Sequence, residues 1–398
     1  MKFKKLLKAY FIIVSILAHC ILIVMVVYFV SEKVTSNWRW PIIKHWVLGD
    51  TDKSNIYSLG FNGLKSLPKG RWLKIHQQQP NDSIYFTRQS HAGSSFDQSR
   101  SELLIFGSNT HAENWNNSVY TFNMETLRWS ETYPPDAPET YTVSLDGFPV
   151  AGVGKNHPWA MHTFGALAYD ALHDNLVVAS YPGHMEPSKY GQSLAVTWKK
   201  IKQHPTWLYD SGTKKWQAYT GKSKAFFPYS IAYDSDRGVV VGFRPDGIFE
   251  WGGSIQGWKK VGDKVYSEWH TNVVYDSVNQ VFILFGGNKM TNNIYTYQTG
   301  NKVTQKMPTI GQRPPPGVSV PLAFHKKLGK VVALIDVEGY AQTWLYDYAF
   351  DKWERVEGAD FPYQIGMNYS MEYDQRHNVL VLVSSPKYEE TAVWSLHL

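Results

Sequence analysis

Histidine, tryptophan and glutamate side chains concentrate in three segments of the chain, 107–117, 131–160 and 183–206. Imidazole and carboxyl groups can exchange protons near neutral pH, and indole rings offer flat apolar faces with one polar edge. This combination suits either acid–base chemistry or the binding of a polar ligand. The candidate ligand-binding residues in these segments are His111, Trp115, His157, Trp159, His184 and Glu186.

A second group of polar residues stands just before apolar segments with the pattern of short strands. We expect the residues at these strand starts to share one face of the fold, because the strands begin at the same end of each repeat. The group comprises His91, His162, Glu268, His270 and Asn368. His91, His162, His270 and Asn368 join the ligand-binding candidates, and His162, Glu268 and His270 are the candidates for catalysis.

A metal ion is a further alternative, held by His157, His162, His184 or Glu186. The sequence nevertheless contains no close ligand spacing of the HExxH type. It also lacks a GxxxxGK[ST] phosphate loop, a GxSxG nucleophile elbow and a CxxC pair. The sequence therefore predicts neither a metal site nor a cofactor.

The elements that must position these residues recur six times. Each copy has an aromatic residue followed by Asp or His, a short turn, an apolar β-branched run and an aromatic strand, and four copies then close with Trp. The aromatic pairs are Phe96-Asp97, Tyr169-Asp170, Tyr233-Asp234, Tyr275-Asp276, Phe324-His325 and Tyr373-Asp374. Because all six copies share the pair, we interpret its acid as a turn-forming group.

Four short strands in each unit of about 40–50 residues are typical of β-propeller blades. The copies predict an all-β fold, a six-bladed propeller over residues 71–398. The sixth copy ends after its third strand, and residues 71–75 have the pattern of a lone strand before the first copy. We expect this N-terminal strand to complete the last blade and close the ring.

The repeats resemble kelch repeats and the galactose oxidase-like propeller family, and Gly286-Gly287 keeps the glycine doublet of kelch. In such propellers the long loops after the second and fourth strands share one face, where sites are built. Kelch repeats also carry a structural histidine before the inner strand, which would explain His91, His162 and His270 without a ligand. Galactose oxidase requires a cysteine cross-linked to tyrosine, and Cys20 is the only cysteine here.

Three functions follow as alternatives. The long loops could serve only structure or contacts with a protein partner. They could instead bind an envelope glycan, since galactose oxidase-like propellers include sugar-handling members. The third alternative is a cofactor-free enzyme, such as a hydrolase or an epimerase that resembles the six-bladed sialic-acid mutarotases. We expect a binding or scaffolding module.

The first 70 residues differ from the repeats. Residues 1–10 carry four lysines and predict a basic cytoplasmic tail, and Phe11–Val30 is an uncharged run long enough to span a bilayer. Residues 31–70, with Trp38, Trp40 and Trp46 beside basic residues, suit an interfacial linker. This order predicts a single-pass membrane anchor with the propeller outside the cytoplasm.

The charge and the cysteine content limit the cellular compartments and the kinds of partner that we expect. Without the four lysines of the tail, 36 basic residues face 34 acidic ones, which gives no electrostatic reason to expect nucleic acid as a partner. A large exported domain without disulfides favours a bacterial envelope. We therefore expect the chain in a bacterial inner membrane, with a glycan or an envelope protein as its partner.

Overall fold

The repeated strands pair into six four-stranded antiparallel sheets, each of which forms one blade. The computed structural model describes residues 61–78, 91–112, 114–186, 194–263, 265–385 and 390–398. Within these residues, the inner strands of neighbouring blades contact one another all the way round. The six-bladed β-propeller predicted from the sequence is therefore confirmed.

The first three blades follow one another along the chain, each from the inner to the outer strand. Blade 1 comprises Gly93–Asp97, Glu102–Phe106, Tyr120–Asn123 and Arg128–Glu131. Blade 2 comprises Leu167–Asp170, Asn175–Val178, Thr206–Asp210 and Lys215–Tyr219. Blade 3 comprises Ser230–Asp234, Val239–Arg244, Gly247–Trp251 and Trp258–Gly262.

The other three blades continue the ring. Blade 4 comprises Asn272–Asp276, Val281–Phe285, Tyr295–Gln298 and Val303–Lys306. Blade 5 comprises Leu322–His325, Lys330–Val337, Tyr340–Asp347 and Lys352–Arg355. Blade 6 comprises Ser370–Asp374, Val379–Ser384, Ala392–Leu396 and, as its outer strand, Trp72–Gln77.

The remaining described elements are short. The helices are Phe61–Lys65, Ala195–Trp198 and Gly253–Gln256. The 3₁₀ turns are Thr110–Ala112, Pro138–Thr140 and Gly183–Met185, and the strands Thr142–Val143 and Pro149–Val150 form a small hairpin inside the insertion after blade 1.

The N-terminal strand closes the ring as the sequence predicts. Trp72–Gln77 pairs antiparallel with Ala392–Leu396, so residues from both ends of the propeller share one sheet. Ile75 is buried between the last blade, where it joins Val381, and the first blade, where it joins Leu103 and Phe122. Closure therefore buries apolar surface as well as pairing the edge of the sheet.

The second strands of the blades form much of the core. Val281–Phe285 is buried at every position, and Val379–Ser384 likewise. Strands covered on both faces show continuous apolar runs rather than alternation. Neighbouring blades cover these strands from both sides, which explains the unbroken β-branched runs in the sequence.

The repeated Asp residues organise the turns between first and second strands, as the sequence predicts. In blade 1, Asp97 accepts hydrogen bonds from the backbone amides of Ser99 and Arg100 at 2.8 and 3.2 Å. Asp170, Asp234, Asp276 and Asp374 accept equivalent bonds in their own blades. In blade 5 the imidazole Nδ1 of His325 accepts a bond from the Leu328 amide at 3.3 Å. The Asp-turns have a structural role.

The outer strands carry the closing tryptophans of four copies, and these indoles are buried. The indole N–H of Trp216 donates to the hydroxyl of Tyr133 at 2.8 Å, and that of Trp258 donates to Thr206 Oγ1 at 2.9 Å. The fourth copy lacks this tryptophan, and all four residues of its outer strand Val303–Lys306 are exposed. The indoles therefore join the outer strands to the rest of the ring.

The predicted tail 1–10, the anchor Phe11–Val30 and most of the linker 31–70 lie outside the described residues. Within the part of the chain that the structure describes, none of the helices has the length and hydrophobicity needed to span a bilayer. The anchor therefore remains a prediction from the sequence.

Candidate functional site

Four histidines from the first two blades meet at one end of the propeller. His91 and His162 precede the inner strands of blades 1 and 2, and His111 and His184 lie in 3₁₀ turns within the loops after the second strands. Both kinds of connection emerge at the end where the inner strands begin, which we call the loop face. The structure thus brings together four of the ligand-binding residues predicted from the sequence, and we call them the histidine cluster.

The rings of the histidine cluster are in direct contact. His162 stacks on His91 with ring centroids 4.3 Å apart and on His184 with centroids 4.2 Å apart. His111 lies against His184 at 4.3 Å and against His162 at 4.7 Å. His162 is therefore the centre of the cluster.

Backbone contacts between blades 1 and 2 hold the two stacked histidines in place. The amide of Thr163 donates to the carbonyl of His91 at 3.0 Å, and the Thr163 hydroxyl accepts the amide of Gly93 at 2.8 Å. The hydroxyl of Ser180 donates to the carbonyl of His162 at 2.6 Å. A Cβ atom at Gly93 would lie 1.9 Å from the carbonyl oxygen of Phe164, so this close approach requires glycine.

Burial sets the charge state of the central ring. The side chain of His162 is buried, with 1% of the residue exposed. Burial, together with the neighbouring imidazoles of His91 and His184, lowers the pKa of His162 far below its usual range. His162 is therefore a neutral imidazole at physiological pH, with a lone pair on one ring nitrogen.

A water-accessible channel opens beside the histidine cluster and runs between the inner strands. Its volume is about 440 Å³. Phe164 joins it to the cluster, since the phenyl ring lies 5.0 Å from His91 and 4.9 Å from His270. The polar groups of its wall include Ser94, Ser230, His270, Asn272, Tyr369 and Glu372.

Glu372 is a channel residue that the sequence prediction missed. Its carboxylate accepts a hydrogen bond from the Ser94 hydroxyl at 2.9 Å. Burial deep in the ring raises the pKa of Glu372 to about 8, although the bond from Ser94 opposes the shift. The residue keeps some contact with solvent through the channel. At neutral pH the side chain is mostly a protonated acid, able to donate as well as accept a hydrogen bond.

Replacing Glu372 by Gln should change how stability depends on pH. Between the usual pKa of 4.5 and the folded value of about 8, the folded chain binds a proton that the unfolded chain releases, so rising pH destabilises the wild type. With allowance for water in the channel, we expect Glu372→Gln to be more stable than wild type by on the order of 2 kcal/mol at about pH 9. Near pH 4 this advantage should vanish. Urea unfolding at both pH values checks this, and a pH-independent difference would contradict it.

The two predicted tryptophans lie under the insertions rather than over the channel. Trp159 is fully buried with Tyr141, Met185 and Leu194, and its indole N–H donates to the carbonyls of Thr142 and Val150 at 3.0 and 2.9 Å. Trp115 is half-buried against the same group, which we call the insertion core. The buried indole of Trp159 offers no open face to a ligand.

The other predicted residues are dispersed. Nδ1 of His157 pairs with Asp136 at 2.8 Å, and its ring stacks on Tyr133. Glu186 follows the turn that carries His184, and Asn368 is exposed just before blade 6. His157, which the metal alternative named with His162 and His184, is paired with Asp136 and is not one of the four clustered histidines.

Two of the catalytic candidates lie together near blade 4. Glu268 accepts a hydrogen bond from the amide of Lys289 at 2.7 Å, and Nδ1 of His270 lies 2.7 Å from Oδ1 of Asn288. Between them, the indole of Trp269 is exposed. Sequence reasoning missed this residue, although its position between two candidates in the segment Glu268-Trp269-His270 was a signal. Trp269 offers an open aromatic face beside the channel residue His270.

Comparisons with known proteins add little to these observations. No protein-family model matches the sequence, and no curated protein matches it. Among solved structures, the chain is similar to the crystal structure of TolB from Acinetobacter baumannii, with a TM-score of 0.41 and 9% sequence identity. The match covers 69% of this chain and 54% of the TolB chain. The six-bladed architecture therefore rests on the strand pairing described above.

Proposed function

We propose that this chain is a membrane-anchored propeller that binds an envelope glycan at its loop face, outside the cytoplasm. The observation that carries the proposal is the channel of about 440 Å³ that opens beside the histidine cluster and has several polar groups in its wall. Small-ligand sites are concave and place a few convergent polar groups within a rigid wall. A closed ring of blades supplies that rigidity.

The wall of the channel combines apolar side chains with a smaller share of polar groups, and this mixture suits a sugar, which has both apolar ring faces and hydroxyl groups. Hydroxyl, amide and carboxyl groups line the channel, and each can bond a sugar hydroxyl as donor or acceptor. The exposed indole of Trp269 provides an apolar face of the kind on which a sugar ring packs. Trp269 directly precedes His270, which lines the channel.

The anchor and the compartment belong to the same proposal. The lysine-rich tail followed by the uncharged run Phe11–Val30 supports a single-pass anchor in a bacterial inner membrane, with the propeller on the outer side. The repeat pattern and Gly286-Gly287 support a kelch-type origin for the blades. A propeller held there meets envelope polysaccharide.

Two other functions compete for the same face. The long insertion after blade 1 supports an envelope protein as partner, because loops on a rigid scaffold commonly carry binding residues. The protonated acid of Glu372 in the channel favours a cofactor-free sugar-processing enzyme, because such a group can act as a general acid. Among the earlier catalytic candidates, His162 is too buried to reach a substrate directly.

A glycan array probed with the full chain in detergent tests the proposal. We expect retention of envelope polysaccharide fragments, and about tenfold weaker retention by Trp269→Ala, which corresponds to the loss of one aromatic contact. The matched control is Phe350→Ala, since Phe350 is also exposed but lies in a turn at the opposite end of the blades. No retention by the wild type, or equal losses in both variants, would overturn the proposal.

A further inference from the structure

Three ring nitrogens of the histidine cluster lie close enough to share one ion. The candidate ligand atoms of His91, His111 and His162 are all within 4.8 Å of one another. In a tetrahedral zinc site with Zn–N bonds of about 2.0–2.1 Å, the nitrogens are about 3.3 Å apart. Small side-chain rotations would therefore bring the three imidazoles into coordination range.

A second observation concerns the ring nitrogens of His162. Both ring nitrogens of His162 are buried and have no hydrogen-bond partner among the described residues. A buried polar group without a partner is rare in folded proteins and costly. A metal ion would give the lone pair of the His162 ring a partner.

The composition of the cluster selects the class of ion. Its ligand set is all nitrogen, with no carboxylate among the three grouped residues. Imidazoles suit zinc, copper, nickel and cobalt, whereas magnesium and calcium prefer oxygen ligands. His184 stacks on His162 with centroids 4.2 Å apart and borders the three grouped residues.

Access to the cluster comes from the solvent side. His111 is exposed, whereas His162 lies beneath it at a centroid distance of 4.7 Å. An ion can therefore reach the cluster through His111 without opening the ring. Three protein ligands with one solvent-facing position is the arrangement of an open zinc site rather than a closed structural one.

We propose that His91, His111 and His162 form a binding site for a divalent late first-row transition metal, with a fourth position open to solvent. The loop face then holds an ion next to the channel, where it can contact an oxygen of a bound molecule. The inference does not depend on glycan binding, because the ligands are the chain's own histidines.

Zinc titration of the full chain in detergent tests the site. The protein is prepared without a polyhistidine tag and stripped with a chelator, and bound zinc is measured by mass spectrometry and calorimetry. We expect one zinc ion per chain and a higher melting temperature with zinc. His111→Ala and His162→Ala should each weaken binding by on the order of 100-fold or more.

The variants include their own controls. His111 is exposed, so His111→Ala should fold even where the buried change His162→Ala does not. His173→Ala is the matched control, since its exposed ring lies in an Asp-turn at the opposite end of blade 2. No stoichiometric zinc, or the same affinity in His111→Ala as in wild type, would overturn the inference. Zinc binding without glycan retention would refute only the proposed function, and the reverse would refute only this site.

Discussion

Replacement of Ile75 by Ala is expected to lower the free energy of unfolding by about 3 kcal/mol. Ile75 is fully buried although it lies in the outer strand of its blade, because that strand packs where the last blade meets the first. Truncation there removes apolar contacts with both blades and leaves a cavity at the joint. The ring should lose stability at the one place where its two chain ends are paired.

Chemical unfolding of the full chain in detergent, followed by tryptophan fluorescence, measures this effect. Arg71→Ala is the control, since Arg71 is exposed directly before the same strand. A change of less than about 0.5 kcal/mol in Ile75→Ala, typical of a surface substitution, would show that the ring does not depend on this strand.

Replacement of Trp159 by Ala should lower the free energy of unfolding by about 4 kcal/mol. This is the largest effect that we expect from a single residue. The indole is fully buried in the insertion core, and its N–H group bonds two carbonyls of the small hairpin. Loss of the ring would leave a large cavity and two carbonyls without their donor. The loops that carry the histidine cluster should then lose their support.

Trp159→Phe separates most of the two contributions, because it removes both hydrogen bonds but keeps an aromatic ring in the insertion core. The Trp159→Phe variant should lose about 1–2 kcal/mol of the free energy of unfolding. Trp115→Ala serves as comparison, since Trp115 is only half-buried against the same core and should cost less. Thermal unfolding of the three variants ranks them by stability. Normal stability in Trp159→Ala with loss of glycan retention would instead assign Trp159 to ligand binding.

The propeller ring could be predicted from the sequence because the same strand pattern recurs in every blade. Six copies of one pattern fix the strand order, and the lone strand before the first copy had only one unpaired blade to join. The Asp-turns were predictable for the same reason, since a group present in every blade serves the blade. The missing tryptophan of the fourth copy is visible in the sequence, whereas the exposure of its outer strand Val303–Lys306 is a finding of the structure.

The site was predictable only in outline. Topology places the long loops on one face, but the stacking of His162 between His91 and His184 depends on distances that no spacing encodes. Trp159 was predicted to bind ligand, yet the insertion is large enough to bury its own core. His157 was grouped with the other histidines, although Asp136 holds it apart. Glu372 was missed because the alternation of polar and apolar residues in Ser370–Asp374 places it on one face of the strand without showing that this face lines a channel.

Hydrogen–deuterium exchange of the full chain, with and without envelope polysaccharide fragments, tests most directly whether the loop face is the binding site. We predict slower amide exchange in 107–112, 162–165 and 268–270, which surround the channel mouth, and unchanged exchange in the Asp-turns at the opposite end. Protection confined to the Asp-turns or to the outer strands, or no protection anywhere, would contradict the account.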